Sequence, residues 1–312
     1  MQMVRLGRTE TMVSVAGLGC GGASRLGMAR GADVAQAAGV VRQAIDLGVT
    51  FIDTARAYGT EAAVGEGVKG RRHEVFLSSK ASPGRSDEPT TAEGLARVID
   101  ASLAALGTDH IDLYHLHGVT LEQYDHCVAV LVPELRRQQA AGKIRFIGVT
   151  EHFGSDTRHA MLARALPDNL FDVVMTGFNI LNPSARAHVF PQTEAHDVGT
   201  LVMFAVRRSL SDPGALRDEV AGLIERGEVA GSAIDVRDPL GFLRQVTGVR
   251  SVIEAAYRFA RYEPGVHVVL TGTGEIDHLK SNIAAIQAPP LPPETQARLK
   301  ALFGEVDSVS GN

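Results

Sequence analysis

Short apolar runs alternate with longer helical patterns along most of this chain. Buried parallel strands read as brief runs of Val, Ile, Leu and Phe, whereas amphipathic helices repeat their apolar positions every three to four residues. Met3-Val4-Arg5-Leu6 and Met12-Val13-Ser14-Val15 flank a polar turn, Gly7 to Thr11, and predict a hairpin. A short strand closed by glycines follows, through Gly17, Gly19, Cys20, Gly21 and Gly22, where the backbone can approach a ligand closely. The pattern then predicts a helix over 32–47 stopped by Gly48, a strand over 49–52 and a short helix over 61–69. Strand 75–79 precedes a helix over 91–106, whose Thr-Thr-Ala-Glu start reads as a capping box. Strand 111–116, one long helix over 121–141, strand 146–150, helix 156–166 and strand 173–176 come next. A weaker helix over 184–196, strands 199–204 and 266–270, and a helix over 276–286 complete the series.

Eight strands from Val15 onward, with helices between them, imply parallel pairing and right-handed crossovers. The expected fold is α/β, a (β/α)8 TIM barrel with an N-terminal β-hairpin at the barrel base. An open doubly wound sheet is the alternative, but Gly17-x-Gly19-x-Gly21-Gly22 does not match its GxGxxG. Residues 206–250 form a connection longer than usual, with one helical piece over 213–225. On a barrel such a loop would overhang the active face as a lid or substrate-selecting segment. The tail, 289–312, predicts a Pro-rich turn, a helix near 294–302 and a disordered polar end, and residues 1–312 together are expected to form one barrel domain.

Composition removes several function classes. The chain is 45% hydrophobic and 21% charged, which gives ample material for a core. A net charge of −5 without a basic run argues against a nucleic-acid partner. No apolar stretch reaches spanning length, and residues 1–19 lack a charged start followed by an apolar core, so a cytoplasmic protein with no membrane partner is expected. The only cysteines, Cys20 and Cys127, exclude a disulfide scaffold.

Reactive side chains gather at three successive strand ends: Asp53 with Tyr58 five residues on, Lys80, and His117. A free tyrosine has a pKa near 10. A nearby ammonium favours its ionised form, and Lys80 on the next strand is placed to supply one. Asp53 could pair with Lys80 and keep it charged, and His117 could hydrogen-bond a substrate oxygen from the other side. The set suits giving a proton to a carbonyl oxygen, or removing one from an alcohol, while something else moves a hydride. No side chain carries hydride, so this chemistry requires a nicotinamide or flavin. His115-x-His117 could hold zinc only if Asp53 served as third ligand, and no metal is expected.

These residues resemble the aldo-keto reductase family over nearly the whole chain. Leu6-Gly7-Arg8-Thr9 with Gly17-Leu18-Gly19 is similar to the family's hairpin and first strand. Phe51-Ile52-Asp53-Thr54-Ala55 with Ala57-Tyr58-Gly59 is similar to its first signature, Asp112-Leu113-Tyr114-x-Leu116-His117 to its fourth strand, and 142–149 to its fifth. The resemblance implies a barrel binding NADP(H) across its C-terminal face. It makes Tyr58 the general acid/base, Lys80 the residue that lowers its pKa, Asp53 the partner of Lys80, and His117 the group that orients the carbonyl. It also places Gly19, Cys20, Gly21 and Asp53 beside the cofactor. Where the family commonly has Ser-Asn after strand five, Thr150 can replace the serine, while Glu151 keeps an acceptor for the carboxamide and loses a donor. Met175 stands at the position of the usual strand-six Gln. Phe204 or Met203 could cover the nicotinamide, and Val206, Arg207 and Arg208 follow where a pyrophosphate would pass. The two cations that can clamp an adenosine 2′-phosphate correspond to Gly272 and His278. Backbone N–H groups of Gly272-Thr273-Gly274 can still hold a phosphate at a helix start, with Asn282 near the adenine.

The implied activity is reduction of an aldehyde or ketone, or the reverse on an alcohol, with NADP(H) favoured and NAD(H) possible. An NAD-dependent sugar or alcohol dehydrogenase and a low-turnover nicotinamide-binding regulatory barrel are the alternatives.

Overall fold

Each barrel strand serves two cores, because successive side chains point to opposite faces. In the computed structural model, which describes residues 1–312, a hairpin of β1 (Met3–Arg5) and β2 (Met12–Ser14) precedes eight barrel strands. These are β3 (Ala16–Gly19), β4 (Phe51–Asp53), β5 (Phe76–Ala81), β6 (Ile111–Val119), β7 (Ile144–Glu151), β8 (Val173–Gly177), β9 (Gly199–Met203) and β10 (Val268–Thr271). All eight pair in parallel and close in the order β10-β3-β4-β5-β6-β7-β8-β9.

One column of residues on each strand fills the barrel interior. Phe51, Phe76, Leu113, Val173, Leu201 and Val268 form its apolar floor, with the Phe51 and Phe76 rings stacked at 5.4 Å. Gly17 must be small there, since a Cβ would lie 2.7 Å from Leu270 and 2.9 Å from Val268. Leu6 and Val13 of the hairpin pack under this floor, and Arg5 ties the hairpin to Asp197 at 2.8 Å, so the hairpin closes the base. The opposite column, including Ile52, Leu77, Ile147, Val174 and Val269, packs outward against the helices.

The period of two has a direct consequence for the chemistry. Two residues above Phe51 lies Asp53, and above Phe76 lie Ser78 and then Lys80. Above Leu113 lie His115 and then His117. Each inward column thus climbs from apolar at the base to polar at the mouth. Lys80 and His117 lie inside β5 and β6, where the shorter expected strands had put them past the ends.

Several helices differ from the expected ones for local reasons. The helix over 121–141 is interrupted by a π turn, Cys127–Leu131. Pro133 follows it, and its missing N–H breaks the regular ladder. The helix expected from 156 begins only at Ala160, because His159 adopts a left-handed φ of 61°. Asp156 instead reaches the N–H groups of Ala160 and Met161, each at 2.8 Å. The capping box at Thr90 does not form. Thr91 is the N-cap, accepting from Gly94 N at 3.0 Å, while Thr90 bonds the Ser82 carbonyl.

The long connection contains the expected helix, Pro213–Glu225. Its body is no free lid: Leu216, Val220, Leu223, Leu240 and Leu243 are buried in the main core. Only 206–208, Ser211, Asp212 and Arg250 reach the cavity at the barrel mouth. The tail is also fastened, contrary to the disorder expected from its polar sequence. Val306 and Val309 are buried. Asn179 Nδ2 donates to the Ser310 carbonyl at 3.1 Å and Asn182 Nδ2 to that of Val309 at 2.8 Å.

Candidate active site

A cavity of about 1780 Å³ opens at the C-terminal ends of the barrel strands. Behind its wall, Lys80 Nζ donates to Asp53 Oδ2 at 2.6 Å and to the Thr54 carbonyl at 2.8 Å. Asp53 Oδ1 accepts from Ser78 Oγ at 2.9 Å, so both carboxylate oxygens are bonded. Lys80 is fully buried, and its ammonium lies 5.1 Å from the centre of the Tyr58 ring. Tyr58 ends a 3-10 turn, Arg56–Tyr58, that follows β4, and the left-handed Gly59 ends that turn. Its hydroxyl is 3.3 Å from His117 Nε2, with the two rings nearly perpendicular. The other edge of the ring rests on Gly21, where a Cβ would lie 2.6 Å from it, so no larger residue fits there.

Burial and charge set the proton affinities of this group. Burial pulls the Lys80 ammonium down, but the charge of Asp53 and its hydrogen bond outweigh it, so Lys80 is held charged above its ordinary value. Burial pushes Asp53 up, against the downward pull of Lys80. Burial also raises Tyr58 above an ordinary phenol. Lys80 pulls the other way, so the expected lowering by Lys80 exists but does not decide the net direction. His117 is driven down to about 3, by burial first and then by Lys80 and His152, so its imidazole is neutral at physiological pH. His115 faces Ser78 Oγ from Nδ1 at 3.3 Å and sits deeper, behind Asp53.

Most of the residues expected beside a cofactor line this cavity. Gly19 and Gly21 form one rim with Asp53; Thr150, Glu151, Met175, Met203 and Phe204 lie along the ends of β7, β8 and β9. Val206 and Arg207 follow, and Gly272, Thr273, Gly274, His278 and Asn282 line the far end. Cys20 is the exception. Its thiol is buried and directed at the Leu18 carbonyl, 3.8 Å away, while its N–H bonds the Asp53 carbonyl. Glu151 also departs from expectation, because its carboxylate turns away from the cavity and accepts from Thr176, Gly177 N and His159. Thr150 Oγ1 accepts from Gly118 N at 2.7 Å and keeps its own proton to donate. Asn282 Nδ2 is engaged with Thr271 Oγ1 at 2.9 Å, which leaves its oxygen as acceptor.

Sequence reasoning missed His152, Phe153 and Arg30, which line the same cavity. Phe153 carried one weak signal, an aromatic two residues past Glu151 and so just beyond the strand end. Arg207 lies over the Phe204 ring, 3.8 Å from its centre, and pairs with no carboxylate. A long cavity with unpaired guanidiniums along it fits an extended dianionic or trianionic dinucleotide.

A family model described as "Aldo/keto reductase family" matches residues 18–303. The chain is 27% identical to the uncharacterized oxidoreductase YqkF of Bacillus subtilis over 97% of this chain and 95% of that protein. It is 24% identical to the L-galactose dehydrogenase of Arabidopsis thaliana over 99% and 97%. In fold it is similar to the holo form of aldo-keto reductase AKR11C1 from Bacillus halodurans, with a TM-score of 0.75, 24% identity and coverage of 99% and 98%. It is also similar to an aldo/keto reductase from Klebsiella pneumoniae in complex with NADP and acetate, with a TM-score of 0.69, 24% identity and coverage of 98% and 97%.

Proposed function

The chain belongs to the aldo/keto reductase family, and from that premise we propose that it reduces an aldehyde or ketone to an alcohol with Tyr58 as general acid. The observation that carries the proposal is the Tyr58–His117 pair, 3.3 Å apart at the cavity floor, with the charged Lys80 behind the phenol. A carbonyl oxygen placed between the two would meet the Tyr58 hydroxyl on one side and His117 Nε2 on the other. The nicotinamide supplies the hydride when bound. Tyr58 gives its proton to the developing alkoxide oxygen, and the Lys80 ammonium stabilises the phenolate left behind. Asp53 holds that ammonium in place and balances its charge. His117, neutral, aligns the carbonyl through its ring nitrogen.

Tyr58→Phe tests this directly. Turnover should fall by about 10²–10⁴. Dinucleotide affinity should stay within about twofold, a change of less than half a kcal/mol. A Tyr58→Phe variant that still turned over at the parent rate would remove Tyr58 from the acid role.

For the cofactor we propose NADP(H), with the backbone N–H groups at Gly272–Gly274 and the His278 side chain as the 2′-phosphate cradle. The helix Ile276–Gln287 starts there and adds its positive end. The wall also carries Glu275, whose charge opposes a phosphate, and no Lys or Arg stands at either Gly272 or His278. The preference should therefore be modest. Titration by nicotinamide fluorescence should give NADPH the lower Kd by up to about tenfold, or 1.4 kcal/mol. Tighter NADH would reassign the cofactor and favour the dehydrogenase direction on a sugar or alcohol, the activity named for the Arabidopsis relative.

A further inference from the structure

Outside the proton-handling group, the most densely bonded polar cluster lies behind the ends of β7 and β8. The side chains of Glu151 and His159 are both fully buried. Glu151 Oε1 accepts from Thr176 Oγ1 at 2.9 Å and from Gly177 N at 2.8 Å. His159 Nδ1 lies 3.0 and 2.9 Å from the two carboxylate oxygens, and Nε2 lies 2.9 Å from Ser184 Oγ. Ser184 Oγ is 2.5 Å from Asn182 Oδ1, and Asn182 Nδ2 is committed to two backbone carbonyls. Ser184 donates to Asn182, and the His159 ring bridges the Ser184 hydroxyl and the Glu151 carboxylate. The order Ser-His-Glu is that of a hydrolytic triad, but here the serine proton is spent on Asn182 and Ser184 does not line the cavity.

The cluster instead supports a wall. Phe153 stacks on His159, with ring centres 5.4 Å apart and planes 15° from parallel. It also meets Phe204 edge to face at 5.5 Å. Gly177 makes the room, since a Cβ there would lie 2.1 Å from the Phe153 ring. His159 and Phe204, on either side of Phe153, both hold left-handed backbone, at φ 61° and 64°. Non-glycine residues keep that conformation only where their surroundings over-determine it. Met175 and Met203 continue the same surface into the cavity.

We infer that Glu151, His159 and Phe153 are positioning residues that fix an aromatic and thioether wall for the nicotinamide ring, which leaves Thr150 as the one side-chain donor to its carboxamide. The inference rests on the reductase reading. Glu151 turns its oxygens inward and Met175 has no donor, so neither grips the amide. Shape and stacking hold the ring, and the wall decides which face of it looks toward Tyr58.

The test compares whole dinucleotides with ADP-ribose and its 2′-phosphate, which carry everything except the nicotinamide. His159→Leu should weaken NADPH and NADH by about tenfold, or 1.4 kcal/mol. ADP-ribose binding, measured calorimetrically, should change by less than about twofold. Hydride transfer from C4-deuterated cofactor should lose facial selectivity. Phe153→Leu, which leaves the Glu151–His159–Ser184 bonds intact, should give the same split and guards against a variant that merely fails to fold. Equal weakening of dinucleotide and fragment, or of neither, in both variants would overturn the inference and leave the reductase reading standing. A parent protein that bound no dinucleotide at all would overturn both.

Discussion

Four side chains at and behind the cavity wall have protonation states set by what surrounds them. His117 is neutral because burial penalises its charge and Lys80 repels it; Tyr58 keeps its proton because burial outweighs the pull of Lys80. The sign of the pH dependence follows. In the proposed mechanism carbonyl reduction takes its proton from Tyr58, so kcat/KM should be level from pH 5 to about 9 and fall only as the phenol ionises, above its ordinary 10.0. An acid limb near 6.5 would show His117 titrating and would contradict its neutral state. The gathering of these four residues was legible because a period of two puts Asp53, Lys80 and His117 in inward columns and Tyr58 follows in the turn just past β4. The inward turn of Glu151 was not legible. Its partner His159 arrives through a left-handed turn eight residues later, inside a stretch whose apolar period reads as continuous helix.

Elements were legible wherever periodicity was long, and least so at their ends. All ten strands stand where the apolar pattern put them, within a few residues. The missed details come from single groups, such as the proline at 133 and the choice between adjacent threonines at 90 and 91. Thr91→Ala should cost about 1 kcal/mol of stability. Thr90→Ala, on an exposed loop, should cost no more than about 0.5 kcal/mol. Denaturant melts of the two variants would separate them, and a reversed order would restore the box at Thr90. Residues 206–250 also change character at this scale. Leu243 is fully buried, so Leu243→Ala should lose about 2–5 kcal/mol while KM for the carbonyl stays within about twofold. A raised KM with unchanged stability would return that segment to the role of a lid.

The whole molecule carries a net charge of −5, yet its cavity exposes Arg30, Arg207 and Arg208 without carboxylate partners. An anionic dinucleotide is therefore repelled by the surface at large and drawn to the mouth. Its association rate should fall as salt rises from about 0.01 to 0.15 M, since the screening length shrinks from about 30 to 8 Å. Stopped-flow traces that were flat over this range would mean that the mouth exerts no such pull. Barrel closure was legible because eight alternating units leave few topologies. The fastening of the tail was not, because it rests on side-chain amides of Asn179 and Asn182 gripping distant carbonyls.

The sealing of Lys80 behind Tyr58 also bears on how the protein can be handled. Lys69, Lys280 and Lys300 are exposed, whereas Lys80 offers no surface to a reagent. Both thiols are buried as well. Amine coupling to a sensor surface or a bead would attach the chain through the outer lysines and leave the ammonium that tunes the phenol underivatised. Maleimides would find nothing to label, so a site-specific dye would first need an engineered cysteine.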